Sequence, residues 1–181
     1  MERSSVAVDP SRTFTPINIA VLTVSDTRTA ADDTSGDILA ERILAAGHSL
    51  AARTIVRDDA DLIADQLNAW IDDRGIDAVV STGGTGLTGR DVTPEALGKL
   101  DGARDIPGFG ELFRWLSFQS IGTSTIQSRA CAVVARGTYV FALPGSNGAV
   151  KDGWDGILAE QLDSRNRPCN FVELMPRLRE V

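Results

Sequence analysis

Residues 79–97 read VVSTGGTGLTGRDVTPEAL, a buried strand, a glycine-rich turn and a helix start in immediate succession. Ala78, Val79 and Val80 form an unbroken apolar run, which suits the end of a parallel strand covered on both faces. Polarity enters at Ser81, after which Gly83, Gly84, Gly86 and Gly89 permit positive φ and keep side chains away from the backbone N–H groups. An anion can approach such a main chain closely. Thr82, Thr85 and Thr88 add hydroxyls, and Thr93-Pro94-Glu95 reads as cap, first-turn proline and acidic residue at the positive end of a helix. Two readings compete: a connector whose glycines only make a tight turn, and a phosphate site. The second gains from Arg90 and Asp91, a phosphate-pairing cation and a magnesium-ligand candidate in mid-loop. Gly89 is followed by Arg90, where a P-loop needs Lys and then Ser or Thr. The spacing Gly83, Gly86, Gly89 mimics a dinucleotide fingerprint but follows a third strand instead of a first, which disfavours a nicotinamide-dependent dehydrogenase.

Working upstream, INIAVLTV at 17–24 is a β-rich apolar run expected to form a central strand, ending in Ser25, Asp26 and Thr27 with Arg28 close behind. These polar residues either leave the sheet to cap a helix over 34–46 or form a second ligand loop at the carboxyl ends of the strands. The helix is expected over 35–46, with Ile38, Leu39, Ile43 and Leu44 inward and Gly47 ending it. A strand over 50–56 then delivers Arg57, Asp58 and Asp59 to the edge that carries the glycine loop. A helix over 61–73, capped by Asp59 or Asp61, turns Leu62, Ile63, Leu67, Trp70 and Ile71 inward.

Downstream, 96–100 reads as a short helix, and Phe109 to Phe118 is apolar nearly all round, which points to subunit contact. Thr123 to Arg129 is rich in hydroxyls, with capping chemistry as its reading on its own. Strands are expected at 132–134 and 139–143, the second running into the tight turn Pro144-Gly145-Ser146. A helix over 148–162 buries Val150, Trp154, Ile157, Leu158 and Leu162, and an edge strand is expected at 170–174. Strands and helices alternate, so the fold is expected to be an α/β three-layer sandwich with a mostly parallel central sheet, one domain over 17–181 behind an arm at 1–16.

Lys plus Arg number 18 and Asp plus Glu 25, a formal charge of −7, which disfavours nucleic acid or an anionic membrane as principal partner. The start MERSSVAVDPSRTF lacks an apolar segment of signal-peptide type, no run approaches a membrane span, and Cys131 and Cys169 stand far apart. The expected location is cytoplasmic. His48, the single histidine, reads as a surface-loop residue, so histidine-based catalysis is not expected.

STGGTGLTGRDVTPEAL (81–97), DIPGFGELFR (105–114), TSTIQSRA (123–130) and LPGS (143–146), in that order, resemble the MoaB and MogA family of molybdenum-cofactor biosynthesis, which includes the G domain of gephyrin. FRWLSFQSIGTSTIQSRA and QLDSRNRPCNFVE are closer to the MoaB branch. The resemblance covers about 17–174 and implies a molybdopterin adenylyltransferase, in which the terminal phosphate of molybdopterin attacks the α-phosphate of Mg-ATP and releases pyrophosphate. It implies Mg2+ as cofactor, ATP and molybdopterin as substrates, and a homo-oligomer, trimer or hexamer. Asp58 and Asp91 match the family's two aspartates and are implied to be catalytic and to hold the metal. Ser25, Asp26, Thr82, Gly83, Gly84, Thr85, Gly86, Arg90, Ser128, Pro144, Gly145 and Ser146 are implied to bind nucleotide and pterin. Arg57 departs from a proline frequent in the family, and Asn147-Gly148 follows Ser146 in place of more uniform wording. The alternative is a non-catalytic molybdopterin-binding or assembly protein of the same pathway.

Overall fold

The computed structural model describes residues 8–180. Six strands form one sheet: β1 Asn18–Val24, β2 Ser49–Val56, β3 Ala78–Thr82, β4 Arg104–Asp105, β5 Cys131–Ala135 and β6 Thr138–Leu143. The helices are α1 Thr34–Ala45, α2 Ala60–Asp72, α3 Thr93–Leu97, α4 Pro107–Ile121, α5 Asn147–Gly153, α6 Ala159–Gln161 and α7 Phe171–Leu174. Sheet order is β2-β1-β3-β6-β5-β4; the first four strands run parallel, and β5 and β4 join antiparallel. This is the expected mostly parallel α/β architecture.

Alternation along the strands explains the three layers. Ile19, Val21, Val80, Tyr139, Phe141 and Leu143 face one way, against Leu39 and Ile43 of α1, Phe113 of α4 and Val150 of α5. Ala20, Leu22, Val79, Val140 and Ala142 face the other, against Ile63 and Leu67 of α2 and Leu97 of α3. Both faces are dry, so the strands carry apolar side chains in unbroken runs.

Registry sets the position of the site. Val24 pairs with Val56, Thr23 with Thr82, and Thr82 with Leu143. Four strand ends therefore reach the same height, and their loops share one rim. The chain goes from β1 outward to β2 and returns to β3 on the far side of β1, so strand order reverses between β1 and β3. In open α/β sheets the crevice at that reversal takes the ligand.

Several local expectations need correction. Phe171–Leu174 is helical, because the extended Asn170 caps it, its side chain accepting from Glu173 N at 2.9 Å while its amide donates to Glu173 Oε2 at 3.2 Å. His48 is buried: Nδ1 accepts from Ile17 N at 3.3 Å, the ring lies 5.1 Å from that of Phe14, and burial pushes its pKa down. Leu44 and Leu62 are exposed, since the inward stripes of α1 and α2 run through Leu39 and Ile43, and through Ile63 and Leu67. Thr93 does not cap α3 with its side chain; its hydroxyl donates to Gly83 O at 2.9 Å. Asp33 caps α1 and Asp59 caps α2. The helix expected over 148–162 is continuous through α5 and α6 but contains a π turn at Trp154–Leu158. Gly153 and Gly156 lie on Leu143 and Leu116, where a methyl would collide, so close packing accounts for glycines that weaken the helix.

The described part of the expected arm, residues 8–16, bonds to the C-terminal turn through Thr15 N to Ser164 Oγ at 2.8 Å and Arg12 Nη1 to Ser164 O at 2.8 Å. Residues 1–7 of that arm lie outside the described residues. Among the described residues no helix is long and apolar enough to cross a membrane.

Candidate functional site

The rim is assembled from strand ends that grip one another. Gly83 N donates to Leu143 O at 2.9 Å and Thr82 Oγ1 to Pro144 O at 3.1 Å, which ties the end of β3 to the end of β6. Gly83 adopts φ +106° against Val24 O, and a Cβ at Gly145 would lie 3.2 Å from Gly83 Cα. Three loops thus meet where side chains would not fit. Ser146 begins α5, accepting from Ala149 N at 3.2 Å.

Between these loops is a cavity of about 390 Å³. Ser25, Thr82, Gly83, Gly84, Thr85, Gly86, Asp91, Pro144, Gly145 and Ser146 line it, together with Arg28. A second cavity of about 210 Å³ adjoins it across Thr85, Gly86, Pro144 and Ser146; its walls include Ser128, Ser117, Thr125, Gln127, Phe113 and Ile121. Thr85 borders both, and its hydroxyl is buried with no hydrogen-bond partner among the described residues. A buried hydroxyl without a partner carries a desolvation penalty that a bound ligand can relieve. A third depression of about 340 Å³, between α3, α4 and β5, receives no loop from the parallel strand ends. Cys131 lines it, and burial pushes that thiol up to about 11, so it stays protonated and unreactive at neutral pH.

The charged residues do not all take the places expected of them. Arg90 and Asp26 stand outside the cavity lining and clasp each other, Arg90 Nε and Nη2 reaching the carboxylate at 2.7–2.9 Å. That clasp holds Asp26 below the usual carboxylate range. Asp58 lies beside it, its N–H donating to Asp26 Oδ1 at 3.3 Å. Burial raises the Asp58 pKa and the charge of Asp26 raises it further, with Asp91 adding to the shift. Asp91 moves the other way, because its Oδ2 accepts from Thr88 Oγ1 at 2.7 Å and Thr88 N at 2.9 Å. Neighbouring carboxyls pushed in opposite directions are a feature of reactive sites. Both crowd the glycines: a Cβ at Gly84 would lie 3.3 Å from Asp58 Oδ1, and one at Gly86 2.7 Å from Asp91 Oδ2.

Arg129 holds this loop from outside. Its N–H donates to Thr85 O at 2.8 Å, Nε to Gly86 O at 2.7 Å and Nη2 to Asp91 O, while Nη1 pairs with Glu95. Carbonyls at both ends of the loop are thereby satisfied by one side chain. Sequence reasoning placed Arg129 in a hydroxyl-rich segment and in the TSTIQSRA stretch of the family resemblance, and Arg28 behind the polar end of the first strand, without making either a candidate site residue. Neither follows a periodicity, and only the tertiary contacts single them out. Arg129→Met is expected to lower the stability by about 2–3 kcal/mol, the scale of losing charge-assisted hydrogen bonds. Urea unfolding measures this; an unchanged midpoint would mean that water serves those carbonyls equally well.

Residues 20–164 match the family described as "Probable molybdopterin binding domain". Over 161 residues the chain is 50% identical to Molybdenum cofactor biosynthesis protein B of Escherichia coli (strain K12), an alignment spanning 89% of this chain and 94% of that one. A crystal structure of Molybdenum cofactor biosynthesis protein B superposes with a TM-score of 0.83 at 35% identity, covering 94% of this chain and all (100%) of the other. The tungsten cofactor synthesizing protein MoaB from Pyrococcus furiosus superposes with a TM-score of 0.73 at 34% identity, covering 91% and 98% of the two chains.

Proposed function

This chain belongs to the MoaB/MogA family of molybdenum-cofactor biosynthesis, and from that premise we propose that it is a molybdopterin adenylyltransferase. The observation that carries the reading is the pair of cavities meeting at Thr85, Gly86, Pro144 and Ser146, a layout that suits two ligands brought together end to end. In the proposed reaction an oxygen of the molybdopterin phosphate forms a bond to the α-phosphorus of ATP while the α–β bridging bond breaks and pyrophosphate leaves. The rim offers backbone, hydroxyls and charge but no activated nucleophile, which accords with a reaction catalysed by positioning and charge stabilisation. Gly83, Gly84 and Gly86 wall the cavity that would receive phosphate oxygens, the Gly83 N–H being already given to Leu143 O, and Ser25, Thr82, Pro144, Gly145 and Ser146 enclose it. Ser128 faces the second cavity, whose hydroxyls and apolar walls suit a neutral, hydrogen-bonding ring. Asp26 and Arg90 hold the two outer loops together at the edge.

Magnesium fits this donor set in part. Asp58 is a partly buried carboxylate destabilised by neighbouring negative charge, an environment that a cation relieves. Among the described residues no group of three or more His, Cys, Asp or Glu side chains is gathered to hold a metal by protein alone. Asp58 and Asp91 would hold it together with ligand phosphates, as is usual for this ion. When bound, it would supply charge neutralisation at the phosphates.

One observation favours a second reading, a molybdopterin-binding or assembly protein without transfer activity: the Asp91 carboxylate is already engaged by Thr88. Incubation of the purified protein with Mg-ATP and molybdopterin separates the two. Adenylyl-molybdopterin and pyrophosphate in equal amounts are expected. Molybdopterin retained without pyrophosphate release would establish the second reading.

The proposal includes a cytoplasmic homo-oligomer, trimer or hexamer. The support for the oligomer is the outer side of α4, where Leu112, Trp115, Phe118 and Ile121 recur every third residue and are 42–58% exposed.

A further inference from the structure

Arg28 is the one cation lining the larger cavity among the described residues. Its guanidinium is aimed from behind. Nη2 donates to Gly145 O at 3.0 Å, Nη1 donates to Ser35 Oγ, and Nη1 lies 3.6 Å from Asp33 Oδ1. Asp33 is fully buried and anchored: it accepts from Thr23 Oγ1 at 2.8 Å, Gly36 N at 3.1 Å and Arg53 Nη2 at 2.7 Å. Gly36 lies so close to that carboxylate that a Cβ would overlap it. Arg53 is therefore the tighter partner of Asp33, and Arg28 stands off that carboxylate at 3.6 Å. A guanidinium has five N–H donors, and these contacts leave some of them for a ligand. Arg90, the cation that the linear motif suggests, has a side chain 65% exposed and is committed to Asp26 away from the cavity wall.

An anion entering this cavity approaches a chain of formal charge −7 and a wall that includes Asp91. A local cation is required to offset that field. We propose that Arg28, and not Arg90, receives the phosphoryl oxygens of the ligand, with Asp33 and Arg53 as the positioning pair that orients it. The Gly145 carbonyl tethers the same guanidinium to the turn after β6, so the cation sits where the loops after β1 and β6 close on the ligand. This inference rests on the reading of the rim as a phosphate site.

The test is calorimetric titration with inorganic pyrophosphate at low ionic strength. Arg28→Gln is expected to weaken binding about tenfold to a hundredfold, the range for one charge-assisted contact. Arg28→Lys recovers part of that loss, since it restores charge without the planar fork. Arg42→Gln, which removes one positive charge from the pair with Asp155 at the last turn of α1, outside the cavity lining, stays within about twofold of wild type. Wild-type affinity in Arg28→Gln, or equal weakening in Arg42→Gln, overturns the role of Arg28 and leaves the phosphate reading standing. If wild-type protein takes up neither pyrophosphate nor AMP, the phosphate reading itself falls and this inference with it.

Discussion

Asp58→Asn is expected to lower the proposed adenylyl transfer about a hundredfold to a thousandfold, the scale of removing one preorganised charged or polar group from a transfer site, with no loss of thermal stability. The two halves of that result come from one cause. Burial and the adjacent charge of Asp26 raise the Asp58 pKa, so the folded protein disfavours the ionised carboxylate. At neutral pH that carboxylate costs stability, and the neutral amide removes the cost. A melting temperature equal to or above that of the wild type is therefore expected alongside lost turnover, the behaviour of a residue kept for function. Asp91→Ala behaves differently. It removes the acceptor for Thr88 N and Oγ1, so turnover and loop stability fall together. Single-turnover rates and melting curves on both variants decide the matter: full activity in Asp58→Asn would remove it from the reaction, and a stable, inactive Asp91→Ala would show that its role exceeds holding the loop.

Gly83→Ala is expected to have the largest effect on the fold, a destabilisation of roughly 3 kcal/mol or more, or failure to accumulate as folded protein. Gly83 has φ +106°, and a methyl there would overlap Val24 O, a backbone atom of the neighbouring central strand that cannot turn aside. The same residue donates to Leu143 O, so no shift relieves the clash without breaking the tie to β6. Gly89→Ala in the same loop meets nothing within 4 Å and is expected to be tolerated. Urea unfolding of the pair tests whether the glycines act alike. Equal, small losses would mean that the loop is a flexible cradle; the expected contrast assigns Gly83 to strand packing and leaves the loop tip free.

Much of this was legible in the chain. Apolar runs at 17–24, 78–80 and 139–143, spaced by helical patterns, required a parallel sheet buried on both faces, and the glycine-rich stretch after the third strand had to lie at its carboxyl edge. The apolar stripe of α4 was also readable, although its length of Pro107–Ile121 exceeded expectation. Asn170 and Glu173 carried a helix signal that strand-like composition at 170–174 concealed.

What the linear pattern could not supply was partnership across distance. Arg90 sits mid-motif beside an acid and reads as the phosphate cation, yet Asp26, distant in sequence, takes it. Arg28 follows a polar strand end that reads equally as a helix cap or a ligand loop, and Asp33, Ser35 and Gly145 turn it into the cavity wall. His48 reads as a loop residue, yet Phe14 and Ile17 bury it. Local sequence determined the layers, the rim and the glycine turn, because periodicity and steric freedom are properties of a few neighbouring residues. The tertiary structure alone decided which charges line the cavity, because a guanidinium's partner is set by which strand ends share a height, and that depends on registry across the whole sheet.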